Sequence, residues 1–361
     1  MKSKFTLDKL SELRLSSQQL TLTKYKKVKD LVYFMGAVQA QDYSMSKWAV
    51  GRRLPGITDA EVEASINKGE IIRTHLLRPT WHLAAAEDVK WMLQLSSPQI
   101  KTLMRSANKQ LELDDKVFAK SNAVIEKAVS GNKHLTRDEL SEKLEDAKIS
   151  TQGLRGIHIF LQAEMDTIIC SGAIKNKKIT YASLAERLPK TKDITKEEAL
   201  VKLVQRYFAS HSPATFRDFV WWSGLSVGDA KKGFEAVKNK LIEERVGQEV
   251  FYIDPSVKPA TKKSSIHLLP AFDEYLISYK SRHVSIHGDH QPKAFTNNGI
   301  FKPIIVVNGQ VQGTWKRTIK KDKVLMEFEL FQKLKASVKQ ELEAEARNYG
   351  KFLGLQMEFK M

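Results

Sequence analysis

The sequence predicts an α+β protein: tandem winged helix-turn-helix units followed by a small β-rich, barrel-like C-terminal domain with a late helix. Three observations predict it. Helix, helix, helix and a two-stranded hairpin follow one another three times before residue 255, at irregular spacing and without a strict repeat. A Lys- and Pro-containing stretch at 255–265 then breaks the pattern. Beyond it the chain turns to β-branched runs and an Asn-Gly turn. The 361 residues suit two or three domains. The boundaries are set at 1–115, 116–190 and 191–255 for the three winged-helix units, and at 264–361 for the C-terminal domain.

The first unit opens with apolar positions Leu7, Leu10, Leu13 and Leu15, a short helix and then a turn. Val28, Leu31, Val32, Met35 and Val38 share one stripe and predict a helix over 26–41. Thr58 followed by Glu61 is a capping box for a helix over 58–68. The run 71–77 is β-rich, ends at Pro79, and resumes at Trp81-His82-Leu83 as the second strand of a wing. A helix over 85–107 follows, with Glu87 and Asp88 in its first turn, where the helix dipole favours acids.

In the second unit, helices are expected over 118–130, from Thr136 through Leu144, and over 153–166. Strands at 167–171 and 178–181 close it. The third repeats the order: a helix over 195–210, one capped by Thr215 through Trp222, one capped by Ser226 over 227–241, then strands at 242–246 and 250–253 around Gly247-Gln248. In the C-terminal region, His267-Leu268-Leu269 and Ile304-Ile305-Val306-Val307 read as strands. Asn308-Gly309 is a two-residue hairpin turn, 311–317 and 324–331 are further strands, and 334–350 is an amphipathic helix.

Composition narrows the function classes. Lys and Arg total 59 against 42 acids, a net charge of +17. Such an excess most often faces phosphate, so nucleic acid is the expected partner on charge alone, with a membrane surface, an acidic protein or a generally lysine-rich proteome as the alternatives. No apolar run reaches the roughly 18 residues of a membrane helix. The segment Met1-Lys2-Ser3-Lys4-Phe5 leads into a charged helix without a signal-peptide core, which predicts a cytoplasmic protein. The single cysteine, Cys170, lies in an apolar run and is read as a core residue. It excludes a disulfide or a four-cysteine zinc site within the chain. The nine histidines show no metal-ligand spacing; His283, His287 and His290 with Asp289 read as a polar surface loop. No phosphate-binding glycine loop or nucleophile elbow occurs. No metal and no cofactor is expected.

Two constellations remain. Gln39-Ala40-Gln41-Asp42 closes an otherwise apolar helix. In a continuing helix the two glutamines diverge by about 200°, so they face one site only where the helix ends or bends. Ordinary C-terminal capping is the alternative. The ten residues from Arg73 to His82 hold Arg73, Arg78, Trp81, His75 and His82. Cations interleaved with an aromatic suit a nucleic-acid backbone and a base or sugar face. A buried strand pair carrying extended arginine stems fits equally.

These residues carry a resemblance. Val38-Gln39-Ala40-Gln41-Asp42, Lys47-Trp48-Ala49-Val50-Gly51-Arg52-Arg53 and Arg78-Pro79-Thr80-Trp81-His82 resemble the winged-helix DNA-binding family of the AlkZ-like DNA glycosylases. Leu268-Leu269-Pro270-Ala271-Phe272-Asp273-Glu274-Tyr275, Tyr279-Lys280-Ser281-Arg282, Gly299-Ile300-Phe301-Lys302-Pro303 and Val311-Gln312-Gly313-Thr314-Trp315-Lys316-Arg317 match in the expected order. The resemblance implies tandem winged helices before a barrel-like domain, and excision of N7-alkylated purines with unhooking of some interstrand crosslinks. Its catalytic signature, Gln, an apolar residue, then Gln or Asp, falls on Gln39 and Gln41. Arg73, Arg78, Trp81 and His82 are the expected DNA or lesion contacts, and Arg52 and Arg53 are expected to hold phosphate.

Physical chemistry makes a glutamine site workable. Alkylation at N7 leaves the purine cationic and a good leaving group, so the glycosidic bond needs little acid assistance. An amide oxygen can accept from the attacking water and point its dipole at the developing sugar cation, but cannot serve as a true base. Asp42 adds charge beside the pair if its side chain faces inward. A monomeric glycosylase acting on double-stranded DNA is therefore expected. The alternative is a DNA-binding regulator or damage sensor without catalysis, and a protein-interaction scaffold comes third.

Overall fold

Thr6 accepts from the Lys9 N–H at 3.2 Å and starts α1 (Leu7–Ser17), in a computed structural model that describes residues 5–259, 265–333 and 335–360. The apolar stripe of α2 (Val28–Met35) ends at Gly36, whose φ of +77° stops the helix six residues before the predicted end at 41. The chain then forms β1 (Val38–Gln39) and turns into α3 (Tyr43–Arg53), where Asp42 caps the Met45 N–H at 3.0 Å. α3 has no one-sided stripe, because Met45 through Gly51 and Arg53 are all buried. A helix covered on all sides carries no period for sequence reasoning to find. Next come α4 (Asp59–Asn67), with its Thr58–Glu61 capping box, and the hairpin β2 (Ile71–Leu76) and β3 (Thr80–Ala85). β1 adds to β3, giving the sheet order β1-β3-β2.

The long α5 (Ala86–Gln110) leads to α6 (Asp115–Val129), β4 (Leu135–Thr136), α7 (Arg137–Asp146), α8 (Leu154–Met165), β5 (Ile169–Ser171) and β6 (Thr180–Ser183). The sheet order is β4-β6-β5, and α9 (Leu184–Arg187) follows. α10 (Lys196–His211), α11 (Phe216–Ser223), α12 (Val227–Glu235), β7 (Ile242–Val246) and β8 (Glu249–Ile253) repeat the arrangement. Here the strand between the first two helices shrinks to one bridge, Ala214 to Tyr252. Helix, short strand, helix, helix and hairpin thus occur three times, and each time the short strand joins the second strand of the hairpin.

The C-terminal region contains β9 (Ile266–Leu269), α13 (Glu274–Ile277), α14 (Gln291–Ala294), β10 (Ile304–Val307), β11 (Gln310–Ile319), β12 (Lys323–Leu330), α15 (Ala336–Leu353) and β13 (Gln356–Lys360). Its sheet runs β13-β12-β11-β10-β9 and curls as a half-barrel. Asn308 and Gly309 take φ values of +50° and +82°, the pair of positive angles that a tight hairpin turn needs. α15 crosses over so that β13 pairs parallel with β12. Residues 260–264, within the 255–265 stretch and including the boundary set at 264, lie outside the described residues, as do 1–4 of the N-terminal segment.

Two interior arrangements hold these parts together. Trp48 of α3 meets Tyr349 and Phe352 of α15 at ring separations of 4.9 and 5.0 Å, and Trp315 of β11 meets Tyr349 at 5.3 Å. Gly51 leaves room for the Phe352 ring, which a Cβ would strike. The second is ionic. Arg53 spends all five donors inside the protein: on both Asp273 oxygens at 2.9 Å, on the Gln18 backbone and side-chain oxygens at 2.9 and 2.8 Å, and on Ala49 O at 3.0 Å. Removing one partner of a buried pair leaves the other charged and uncompensated, at a cost of about 3–5 kcal/mol. Asp273→Ala should therefore lower urea-unfolding stability by that order without changing the secondary-structure content. A loss under ~1 kcal/mol would remove this pair as a structural anchor.

Candidate active site

Gln39 and Gln41 meet because the helix stops at Met35. Gln39 Nε2 donates to Gln41 Oε1 at 2.7 Å, and the Gln41 N–H donates to Gln39 Oε1 at 3.1 Å. Each amide thereby fixes the other. Gln39 is buried, whereas Gln41 is exposed at the protein surface. Ala40 between them is held from both sides: its N–H donates to Trp81 O at 2.7 Å, and its carbonyl accepts from Arg73 Nε at 3.0 Å. β1 places Gln39 directly opposite His82 on β3.

Beneath Gln39 lies a charge that sequence reasoning did not single out. Glu274 is buried at 1% exposure, and its Oε1 accepts the Gln39 N–H at 2.7 Å. Its Oε2 accepts from the Ser278 hydroxyl and from Trp222 Nε1 at 3.2 Å, with His211 Nε2 at 3.4 Å. Burial works against ionisation, but hydrogen bonding and the neighbouring imidazoles prevail and bring the carboxyl to about 2. The site therefore rests on a fixed negative charge one hydrogen bond from the Gln39 backbone. Its only sequence signal is membership of the 268–275 stretch, because no spacing relates it to residue 39.

The other expected contacts divide into supports and surface groups. Arg73 is buried, lies 3.9 Å over the Trp81 ring, and holds Ala40, so it positions the glutamine loop from within. Burial pulls its guanidinium down to about 10. Trp81 is half-buried and packs against His75 with ring centres 3.9 Å apart and the planes tilted by 40°, while His75 Nδ1 bonds to buried Glu164 at 3.0 Å. His82 is 1% exposed and bonds through Nδ1 to Thr80 O at 2.9 Å; its Nε2 is buried without a hydrogen-bond partner. Arg78 is half-buried at the hairpin turn, over Trp221 at 5.3 Å.

Arg52 and Arg53 correct the expectation that they hold phosphate. Arg53 is enclosed by Asp273 and Gln18 and has no donor left. Arg52 faces Glu345 of α15 at 3.0 Å and the backbone of β9, so it ties α3 to the C-terminal region. Charge count could not distinguish a phosphate-facing arginine from one matched by an acid more than 200 residues away. Asp42 likewise turns its carboxylate to the α3 N-terminus, accepting from the Met45 N–H and the Ser44 hydroxyl.

Chemically, the arrangement offers two mutually oriented side-chain amides, a buried carboxylate bonded to the backbone N–H of Gln39, and an unpaired imidazole nitrogen on His82, the strand partner of Gln39. Among the described residues no cluster of His, Cys, Asp and Glu could hold a metal ion, and no helix is long and apolar enough to cross a membrane. Amides backed by negative charge suit water orientation and a developing cation, within a fold of helix-and-hairpin repeats leading into a half-barrel.

Residues 32–352 match the family described as DNA glycosylase AlkZ-like, and the chain belongs to that family. No curated protein matches. Among solved structures, the chain is similar to the Streptomyces sahachiroi DNA glycosylase AlkZ, with a TM-score of 0.81, 20% identity and 99% of each chain covered.

The buried histidines give the site a pH dependence. Burial lowers His82 from 6.5 to about 4, and His211 is lowered by the same cause. Between those values the unfolded chain binds protons that the folded chain refuses. Stability should be intact above pH 6.5 and fall as pH drops toward 4, by up to about 3 kcal/mol for His82. Glu274, held low, adds a further loss only below its ordinary value of 4.5. Urea unfolding of His82→Gln should show a flatter decline between pH 6.5 and 4 than the native protein. Parallel declines would place the dependence elsewhere.

Proposed function

We propose that this protein is a monomeric, monofunctional glycosylase that removes cationic N7-alkylated purines from duplex DNA. On this reading the three repeats are winged helices spanning 1–115, 116–190 and 191–255, with the C-terminal domain at 264–361. The observation that carries the reading is the locked pair of amides at Gln39 and Gln41, seated on the buried Glu274 carboxylate.

The C1′–N9 bond breaks with its electron pair moving to the purine, which discharges the ring's positive charge. Water then adds to C1′ and loses a proton to solvent. No strong acid or base is needed. The Gln41 amide, exposed beside the buried one, orients the water, while the paired dipoles and the Glu274 charge favour the sugar cation. The same step at one of two crosslinked purines would unhook an interstrand crosslink, and at the second would release the linked bases.

Single-turnover release of N7-methylguanine from duplex DNA, with protein saturating, isolates the chemistry from binding. Gln39→Ala and Gln41→Ala should each slow release while leaving duplex affinity nearly unchanged. Loss of one preorganised dipole costs on the order of 10²–10³ in rate, less where the leaving group is already activated. Gln41→Glu should retain measurable activity, since a carboxylate oxygen still accepts from Gln39 Nε2. Duplex binding without base release in the native protein would overturn the enzyme reading in favour of a damage sensor. Unchanged rates in both alanine variants would move the active site away from this pair.

A further inference from the structure

Three cations converge on one tryptophan. Arg78 at the turn between β2 and β3, and Lys280 and Arg282 after α13, lie 5.3, 4.6 and 5.6 Å from the centre of the Trp221 ring on α11. Among the described residues none of the three belongs to an ion pair. Lys280 is exposed, and Arg282 donates only through Nε, to Leu276 O at 3.1 Å, while its guanidinium also lies 5.0 Å from the Phe295 and Phe301 ring centres. Arg78 Nε is buried and has no hydrogen-bond partner. The neighbouring acid, Asp218, is already occupied: Oδ1 accepts the Lys280 and Ser281 N–H groups at 2.9 and 3.3 Å, and Oδ2 accepts the Thr215 N–H at 2.9 Å.

We infer that Arg78, Lys280 and Arg282 form a seat for a single backbone phosphate of bound DNA, with Trp221 as its floor. Gathering three like charges against an apolar ring is costly until an anion shares their donors. The crowding is visible in Arg282, which burial and the Arg78 charge pull down to about 10. The seat is built rigidly. Trp221 Nε1 donates to Ile277 O at 2.9 Å, and the Asp218 carboxylate pins the 280–281 backbone. It is also wired to the glutamines. Ile277 precedes Ser278, whose hydroxyl bonds to Glu274, and Glu274 accepts the Gln39 N–H. Arg78 is four residues from His82, the strand partner of Gln39, a reach of no more than about 14 Å. A phosphate held there would fix the strand near the base presented to the amides.

This assignment rests on the duplex-DNA reading above, and binding to undamaged duplex tests it without base release. Fluorescence anisotropy across a salt series would compare the native protein with Lys280→Met, Arg78→Met and the double variant. Neutralising one phosphate contributes about 0.9 to the slope of log affinity against log salt. A shared phosphate predicts that each single variant weakens binding, on the order of tenfold. The double should weaken it by less than the product of the two, with the slope reduced by about 0.9 at most. Unchanged affinity in either single variant would overturn the seat. So would multiplicative losses with a slope reduced by about 1.8, the signature of two separate phosphates. Native protein that binds no duplex would overturn the parent reading and the seat together, whereas binding without base release would leave the seat standing.

Discussion

Two adjacent buried acids, Asp273 and Glu274, are the constraint on which the arrangement depends. An ionised carboxylate withdrawn from water is tolerated only when its oxygens are filled with donors. Asp273 fills both with the Arg53 guanidinium, and Glu274 fills its own with the Gln39 N–H, the Ser278 hydroxyl and the Trp222 indole. The donors come from β1, α3, α11 and the residue that follows α13, parts of the chain far apart in sequence. Gln18 extends the same network: it accepts from Arg53 and donates to Glu274 O at 3.2 Å and to the Tyr279 hydroxyl at 3.0 Å. The C-terminal region is therefore joined to the N-terminal repeat by hydrogen-bonded charge as well as by the Trp48–Tyr349–Phe352 packing.

That junction also sets the register of the glutamine loop. β1 is only two residues long, too short to hold itself in place by ladder bonds. Its position is reinforced by two side chains, Glu274 on the Gln39 N–H and Arg73 on the Ala40 carbonyl, together with a backbone bond from the Ala40 N–H to Trp81 O. Buried cations and anions thus do positioning work behind a pair of neutral amides. On the proposed reading the substrate carries its own positive charge, which such a division suits. A cation at the reacting position would repel it, whereas amide dipoles with an anion behind them favour it.

The repeats show how the family's fold accommodates this site. Each hairpin receives a third strand from between its first two helices, but the contribution shrinks to a single bridge at Ala214 in the last repeat. In the first repeat the same position holds the glutamine. The hairpin turn that carries Arg78 lies against α11 of the third repeat, where Leu77 O and the Arg78 side chain crowd Gly224; a Cβ at Gly224 would come within 2.5 Å of that carbonyl.

Much of this protein is local and was legible without coordinates. The capping box at Thr58 starts a helix because Glu61, three residues on, completes the exchange of hydrogen bonds, and Thr136 and Thr215 cap theirs as expected. Asn308-Gly309 forces a hairpin because both residues tolerate positive φ. The Gln39–Gln41 pair and the family itself were readable from contiguous motifs. Only the tertiary structure decided what each charge does. Arg53 and Arg78 look alike in the sequence, yet one is sealed against Asp273 and the other stands unpaired over Trp221. Glu274 gains its place from Gln39, 235 residues away. Helix starts and turns are settled by hydrogen bonds spanning a few residues, which the sequence contains in full. The role of a charge depends on which distant partners and how little water surround it, and that is settled only when the chain closes on itself.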